Sequence, residues 1–418
     1  MKGSKPSCAV LVTGGAGFLG QHVVGLLQTR ADHVTEIRVL DVVPYENKLD
    51  YVHKKPLRSI VGSITDERVL GEACRGVTSV IHVAGCTDSR MFPNKDRVTE
   101  VNVHGTLVLL LTALGTVGVD RLIYCSSMSV AIGYDNEVTE GMDESHPLPS
   151  RRIFEPYASP KLAGERVVLG VNSDLFRTIS IRPVVMYGEL DNAFVTIAQE
   201  MSKDTFGTLF MTNTSHVKQQ TAYVGNVAWG FVCAEIKLNE ERRQKYVTSD
   251  HNDNKDRQKI CLELRQRSQR ISMARESNKD NEIVQMIGIN GKQSNYGKDA
   301  YFVGDDTPHI SPFLFHTPYL EASGYSIFSA SVPVSLVIFF MFLLKCFIGF
   351  LRMFGAQWNF PVSSSAMHYT KRPYTFDDKK VREELGYSSI YTPEEAQNRS
   401  MKFYKRNTYK SKQINVVK

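Results

Sequence analysis

Residues 9–20 read AVLVTGGAGFLG: Gly14, Gly17 and Gly20 directly follow an apolar strand and open a helical run, FLGQHVVGLLQ. A strand, a glycine turn and a helix in that order gather free N–H groups at the helix start. There the helix dipole also favours negative charge. The first glycine permits the tight turn, the second lets a pyrophosphate approach, and the third lets the helix pack on the sheet. This context predicts a dinucleotide-binding turn rather than an ordinary glycine-rich loop. Asp41 ends the next strand candidate, 21 residues past Gly20. A carboxylate there accepts from ribose hydroxyls and repels a 2′-phosphate, which favours NAD over NADP. Arg38 lies on that strand rather than after it, so it is set aside.

Further short β-branched runs lie at 36–43, 79–84 and 121–125, with amphipathic stretches between them. Strand–helix alternation of this kind predicts an α/β fold, a doubly wound parallel sheet covered by helices on both faces. The 418 residues are 42% hydrophobic and 22% charged, values that exclude a disordered or fibrous chain. Lys+Arg 50 against Asp+Glu 44 leaves +6, too mild an excess to imply nucleic acid. The seven cysteines are scattered without a CxxC pair, so neither a disulfide framework nor a metal site is expected. A reducing compartment follows, no signal peptide is expected, and the sequons at Asn213 and Asn398 should be unused.

Composition shifts near residue 238. Between 239 and 281, 19 of 43 residues are charged, and such a stretch cannot bury enough apolar area to offset its ordering entropy. It is read as a solvated insert. Residues 332–351, VPVSLVIFFMFLLKCFIGFL, are apolar over a length sufficient to cross a bilayer, interrupted by Lys345.

The catalytic candidates come next along the chain. Tyr157 and Lys161 stand four apart, one helical turn on one face, where a cation can favour phenolate. Pro160 between them is tolerable only in the first turn of a helix. Residues 122–127, LIYCSS, end a strand in two hydroxyls. Ser127 is placed to hydrogen-bond a substrate oxygen, with Ser126 pointing to the other face.

This set resembles the extended short-chain dehydrogenase/reductase superfamily: TGGAGFLG, Asp41, HVAG at 82–85, EVNVHGT at 100–106, the paired serines, YxxxK, and Arg182-Pro183 before Tyr187-Gly188. YVGNVAW at 223–229, DDTPH at 305–309, the late apolar run, KVREELGY at 380–387 and YTPEEA at 391–396 are more specific. They resemble the 3β-hydroxysteroid dehydrogenase/Δ5–Δ4 isomerase family. The resemblance implies a Rossmann domain with a smaller, discontinuous substrate domain and a membrane-associated helix. It also implies oxidation of a steroid or sterol 3β-hydroxyl by NAD, with isomerisation in bifunctional members. It makes Tyr157 the base and Lys161 the holder of the nicotinamide ribose. Ser127 would orient the 3-oxygen, and Asn102 would position the catalytic helix or a relay water. Phe18, Leu19, Ser63, Ala84 and Pro183 would join the glycines and Asp41 around the cofactor.

The chain divides accordingly into 1–190 (NAD-binding), 191–237 (part of the substrate domain), 238–296 (charged insert), 297–330 (return to the sheet and pocket), 331–352 (membrane segment) and 353–418 (remaining substrate domain and basic tail). Three departures stand out. Gly62-Ser63 replaces the family's Gly-Asp, the insert lengthens a short link, and residues after DDTPH match poorly. Nearby rivals are a decarboxylating sterol-4α-carboxylate 3-dehydrogenase and, of another class, a catalytically silent NAD-binding membrane adaptor. Because 380–396 should share a compartment with the Rossmann half, a monotopic or re-entrant insertion is expected rather than a span. The expected partners are the steroid substrate and a lipid bilayer, without nucleic acid; a homodimer stays open. The expected setting is the endoplasmic reticulum membrane facing the cytosol, with a mitochondrial membrane as the other choice.

Overall fold

The computed structural model describes residues 8–246, 262 and 298–416. Its strands are β1 (Ala9–Thr13), β2 (Glu36–Asp41), β3 (Leu57–Val61), β4 (Ser79–His82), β5 (Arg121–Cys125), β6 (Arg177–Pro183), β7 (Val185–Tyr187), β8 (Thr208–Thr212), β9 (Thr221–Tyr223), β10 (Ala300–Val303) and β11 (Ser326–Val332). Seven of them form one sheet in the order β10-β6-β5-β4-β1-β2-β3, every pairing parallel. The order reverses between β1 and β4, and in such sheets the crevice for ligands opens at the carboxyl ends beside that reversal. β1, β4 and β5 are buried along their whole length, as expected of strands covered on both faces. Two strands are shorter than their apolar runs suggest. β2 stops at Asp41, leaving Val42 and Val43 exposed, and β4 stops at His82.

The later motifs meet around one amide. Asn226 donates to Asp305 Oδ2 (2.9 Å) and to the Tyr391 carbonyl (2.9 Å), while its Oδ1 accepts from the Ile390 and Tyr391 amides (3.0 and 2.9 Å). Asp305 also accepts from the Tyr223 amide at 2.9 Å, and Tyr387 donates to the Gly304 carbonyl at 2.6 Å. Asn226 thus spends all four of its hydrogen-bonding positions joining segments far apart in sequence. The helix Val224–Tyr246 runs through the composition shift at 238, and Leu238 and Asn239 are buried. The insert beyond 246 lies outside the described residues, apart from Leu262.

At the amino ends of the strands, away from the crevice, Arg121 is buried with Glu235 at 2.8 Å. Arg121 also donates to Asp120 (2.8 Å) and to Cys8 Sγ (3.2 Å), and His33 bonds the other Glu235 oxygen. Burial works against the Glu235 charge, yet His33 and Arg121 hold its carboxyl below the usual range. Cys8, His33 and Glu235 bring potential metal-ligating atoms within 4.8 Å of one another, but the Arg121 guanidinium already supplies the positive charge there.

The helix Val334–Met353 lies along the surface. Val337, Met341, Leu344 and Ile348 form its inner stripe, packed on Met91, Phe92, Met201 and Val362, and Val334 at its start is also buried. Leu336, Phe339, Phe340, Phe342, Leu343, Phe347 and Phe350 face outward. Lys345 and Arg352 sit over the Phe92 ring at 5.9 and 4.9 Å. The chain on either side of this helix, β11 before it and 369–404 after it, packs on the same body. Among the described residues one other helix, Lys95–Gly115, is long and apolar enough to cross a membrane, but over half of it is buried.

Removing one member of a buried ion pair strands the other. Glu235→Ala should therefore lower unfolding stability by about 3–5 kcal/mol in chemical denaturation, with Glu235→Leu/Arg121→Met recovering most of the loss. A Glu235→Ala protein as stable as the parent would contradict this reading of the cluster.

Candidate active site

The glycine turn leads from β1 into the helix Phe18–Arg30. Gly14 has φ +71° and presses against the next crossover: a Cβ there would lie 2.6 Å from Ala84 N and Cα. A Cβ on Gly20 would lie 2.1 Å from the Gly14 carbonyl oxygen, so only glycine lets the helix close on the turn. No side chain caps this helix at Gly17. Its first N–H groups, those of Phe18, Leu19 and Gly20, therefore form the anion-attracting end. The carboxylate of Asp41 accepts from the Ala16 amide at 3.0 Å through Oδ2, which sets it against the turn from the next strand end. Arg38 points elsewhere. It is buried, paired with Glu36 and bonded to the Ala73 carbonyl at 3.2 Å.

Ser63 follows β3, and its hydroxyl bonds Thr65 Oγ1 (2.8 Å) and accepts from the Thr65 amide (3.1 Å), closing the turn before the next helix. Ala84 donates to the Thr13 carbonyl at 2.9 Å, at the sheet's reversal point. Pro183 ends β6 opposite Val303. The turn, Asp41, Ser63, Ala84 and Pro183 all stand at or just beyond the carboxyl ends of strands of one sheet.

The catalytic candidates converge at the same edge. Tyr157 immediately precedes the helix Ala158–Leu169, with Pro160 in the first turn as the sequence requires. The Ser127 hydroxyl is close enough to act on the Tyr157 phenol. Ser127 also accepts from the Ser129 amide at 3.1 Å, capping a short 3₁₀ turn. Ser126 is buried on the other side, its hydroxyl without a partner among the described residues.

Lys161 is almost fully buried. It donates to the Cys125 carbonyl and stands over the Tyr124 ring at 4.4 Å. Burial lowers the Lys161 ammonium below its ordinary value, against the favourable pull of Cys125 and Glu165. Here the geometry departs from the simple expectation of a phenol made acidic by its neighbour. Burial, reinforced by Cys125, raises the Tyr157 phenol, and only the nearby Ser127 hydroxyl pulls it down. The buried ammonium has taken the strand-end carbonyl as its acceptor. The helix is fixed behind it by Glu165, which accepts from Ser180 (2.9 Å) and pairs with buried Arg182 (2.6 Å).

Asn102 lies where the helix Lys95–Gly115 widens into a π-helical turn, Glu100–Gly105. Such turns re-aim side chains and recur at functional sites. Asn102 donates to the Cys86 carbonyl and accepts from the Cys86 amide, both at 2.8 Å. A Cβ on Gly85 would meet Asn102 Oδ1 at 3.2 Å and Lys161 Nζ at 3.6 Å, so Asn102, the 84–86 loop and Lys161 are immediate neighbours.

One part of the site carries no motif in the sequence. His82 bonds Thr13 Oγ1 through Nδ1 (2.7 Å) and Thr106 Oγ1 through Nε2 (3.0 Å), and Thr106 donates to the Asn102 carbonyl at 2.8 Å. Thr106 has one proton and spends it on Asn102, so it accepts from His82 Nε2–H. Burial, with Lys161 adding to it, favours the neutral imidazole, in which Nδ1 accepts from Thr13. The signal available was HVAG beside a Thr-Gly-Gly turn, which does not say where the imidazole points.

These features define a dinucleotide-binding short-chain dehydrogenase/reductase of the extended type. The chain belongs to the 3-beta hydroxysteroid dehydrogenase/isomerase family, whose model matches residues 11–256. Solved structures share the fold at low identity. A short-chain dehydrogenase/reductase superfamily protein from Agrobacterium tumefaciens, with bound NAD, is 17% identical with TM-score 0.57, covering 97% of this chain and 99% of its own. A dTDP-glucose 4,6-dehydratase from Streptomyces venezuelae, also with NAD, is 18% identical with TM-score 0.58, covering 96% and 97%. A UDP-glucose 4-epimerase from Thermotoga maritima is 17% identical with TM-score 0.59, covering 96% and 99%.

Burial pushes His82 down to about 3, with Lys161 adding to the effect, from an ordinary 6.5. The unfolded chain therefore binds a proton that the folded chain refuses, and this part of the stability is lost as pH falls from 6.5 towards about 3. His82→Gln should flatten the slope of unfolding free energy in that window by about 1.4 kcal/mol per pH unit. A slope equal to the parent's would show that His82 titrates freely.

Proposed function

We propose that this protein oxidises the 3β-hydroxyl of a steroid or sterol to the 3-ketone with NAD. The observation that carries the reading is the convergence of Tyr157, Ser127 and buried Lys161 at the strand edge that also holds the glycine turn. The cradle suits a dinucleotide because the Gly14 and Gly20 sites exclude any side chain, the helix start is uncapped, and Asp41 offers a second carboxylate oxygen. NAD, when bound, supplies the hydride acceptor for C3 and a positive ring charge that favours phenolate. The uncharged Ser63 beside β3 leaves the adenine side with a hydroxyl in place of a carboxylate.

Within the site, Tyr157 takes the proton of the 3-hydroxyl as the C3–H bond gives up its hydride. The C–O bond becomes the carbonyl, and no other oxidant is needed. Ser127 holds the oxygen in line through its hydroxyl, beside Tyr157. Lys161 keeps positive charge at the strand end, and Asn102 holds the loop around Cys86 in place. The raised phenol gives an activity that rises with pH from neutral into the alkaline range.

Family membership supports the 3β-hydroxysteroid class, and the apolar surroundings support a lipid-soluble substrate. Met91 and Phe92, a few residues beyond the 84–86 loop, pack directly under the apolar helix. The outward phenylalanines of that helix support docking on a bilayer. Its two flanks packing on one body supports lying in the membrane surface rather than crossing it.

NADH formation at 340 nm, in membranes carrying the protein and offered 3β-hydroxy-Δ5 steroids or 4α-carboxysterols, tests the reading. Turnover with the first group is expected, and Tyr157→Phe should cost roughly a hundred- to ten-thousand-fold while NAD binding persists. Turnover with 4α-carboxysterols alone would move the substrate assignment to the decarboxylating relatives. Asp41→Ala should relax the preference for NAD over NADP, and unchanged selectivity would overturn that assignment.

A further inference from the structure

Beside the apolar helix lies a second bare aromatic surface. The turn between the helix Val195–Asp204 and β8 carries Phe206, which has φ +55° and a wholly exposed ring, 102% of its reference area. A bulky side chain in the left-handed region is strained, and a phenyl ring bare to water adds a second cost. Phe210 on β8 and Phe328 on β11 are half exposed, with ring centroids 5.4 Å apart.

This surface is continuous with the helix Val334–Met353. β11 passes through Pro333 directly into it. Asn213, just past β8, donates its amide to the Val332 carbonyl and accepts from the Val334 amide, both at 2.9 Å. Met201 packs both on the cluster under that helix and on the one under β8 and β11.

The charges around the helix point to lipid as the occupant. Val334–Met353 contains no acidic residue. At its carboxyl end Arg352, with Arg90 and Lys95, lines one groove with Asp96, and Arg90 is itself paired with Asp88. A cationic rim beside outward phenylalanines complements an anionic headgroup layer over acyl chains.

We propose that Phe206, Phe210 and Phe328 form a second lipid-docking point, so that strand pair and helix enter one leaflet together. This rests on the membrane reading above. Two points of attachment hold the helix along the surface and keep the loop around Met91 and Phe92 next to the bilayer.

The test places an indole at position 206 of the full chain, Phe206→Trp in a Trp358→Phe background. The vesicles contain phosphatidylcholine and phosphatidylserine with acyl chains brominated near the headgroup. The expected result is a blue shift on vesicle binding and quenching clearly beyond that of the Trp358→Phe parent. Flotation with the vesicles but no excess quenching would overturn the second docking point while leaving the membrane reading standing. Failure to float would overturn both. A concentration-dependent blue shift without vesicles would assign the surface to a second copy of the chain and overturn the proposal. Phe206→Ser/Phe210→Ser/Phe328→Ser, with NAD binding as the check on folding, should weaken flotation several-fold.

Discussion

A neutral imidazole fixed between two hydroxyls holds this site together. His82 joins Thr13 at the end of β1 to Thr106, and through it to the Asn102 carbonyl. Thr106 spends its proton on the Asn102 carbonyl and so accepts from His82 Nε2–H, while burial, with Lys161 adding to it, disfavours a charged imidazole. The glycine turn grows from Thr13. The loop that Asn102 clamps borders Lys161, and Lys161 in turn anchors on the Cys125 carbonyl at the end of β5. Three strand ends and two helices are thereby held in register by buried polar groups. Such networks specify a structure only when every member is satisfied, as here.

Much of this architecture was legible in the residues. The strand at 9–13, the strand at 121–125 and the helix beginning at Phe18 follow from apolar runs punctuated by glycine. Pro160 announced where the catalytic helix must start. The juxtaposition of Tyr157 with Ser127 followed from strand-end logic, because ligand sites in parallel sheets gather at carboxyl ends. What stayed hidden depends on three-dimensional routing. Nothing in EVNVHGT announces a π-helical turn, since the pattern is helical either way, nor that Asn102 within it will pair with the Cys86 backbone. The direction of the phenol shift was also hidden. Four-residue spacing puts Lys161 near Tyr157 but cannot say that a buried ammonium will choose a carbonyl instead. The same is true at 238, where polar composition suggested the end of order although the helix still buries Leu238 and Asn239.

The apolar run shows how a one-dimensional signal underdetermines a surface. Its hydropathy alone allows a span, a core helix or an in-plane helix. In the fold it has a narrow inner stripe at helical spacing and a broad outward face of phenylalanine and leucine, with Lys345 and Arg352 turned over Phe92. Asn226, Asp305 and Tyr391 meanwhile tie the segments before and after it into one body. The apolar helix is thus an appendage of the enzyme's surface, next to the loop that leads from the catalytic edge.

The central claim is that Tyr157 accepts the hydroxyl proton while the carbon it serves gives its hydride to the dinucleotide. It is tested most directly with a 3β-hydroxysteroid carrying deuterium at the 3α position, incubated with NAD and either the parent protein or Tyr157→Phe. The account predicts deuterium in the NADH formed by the parent, a slower rate than with the unlabelled steroid, and no labelled NADH from the variant. Labelled NADH at an undiminished rate from Tyr157→Phe, or NADH without deuterium from the parent, would contradict it.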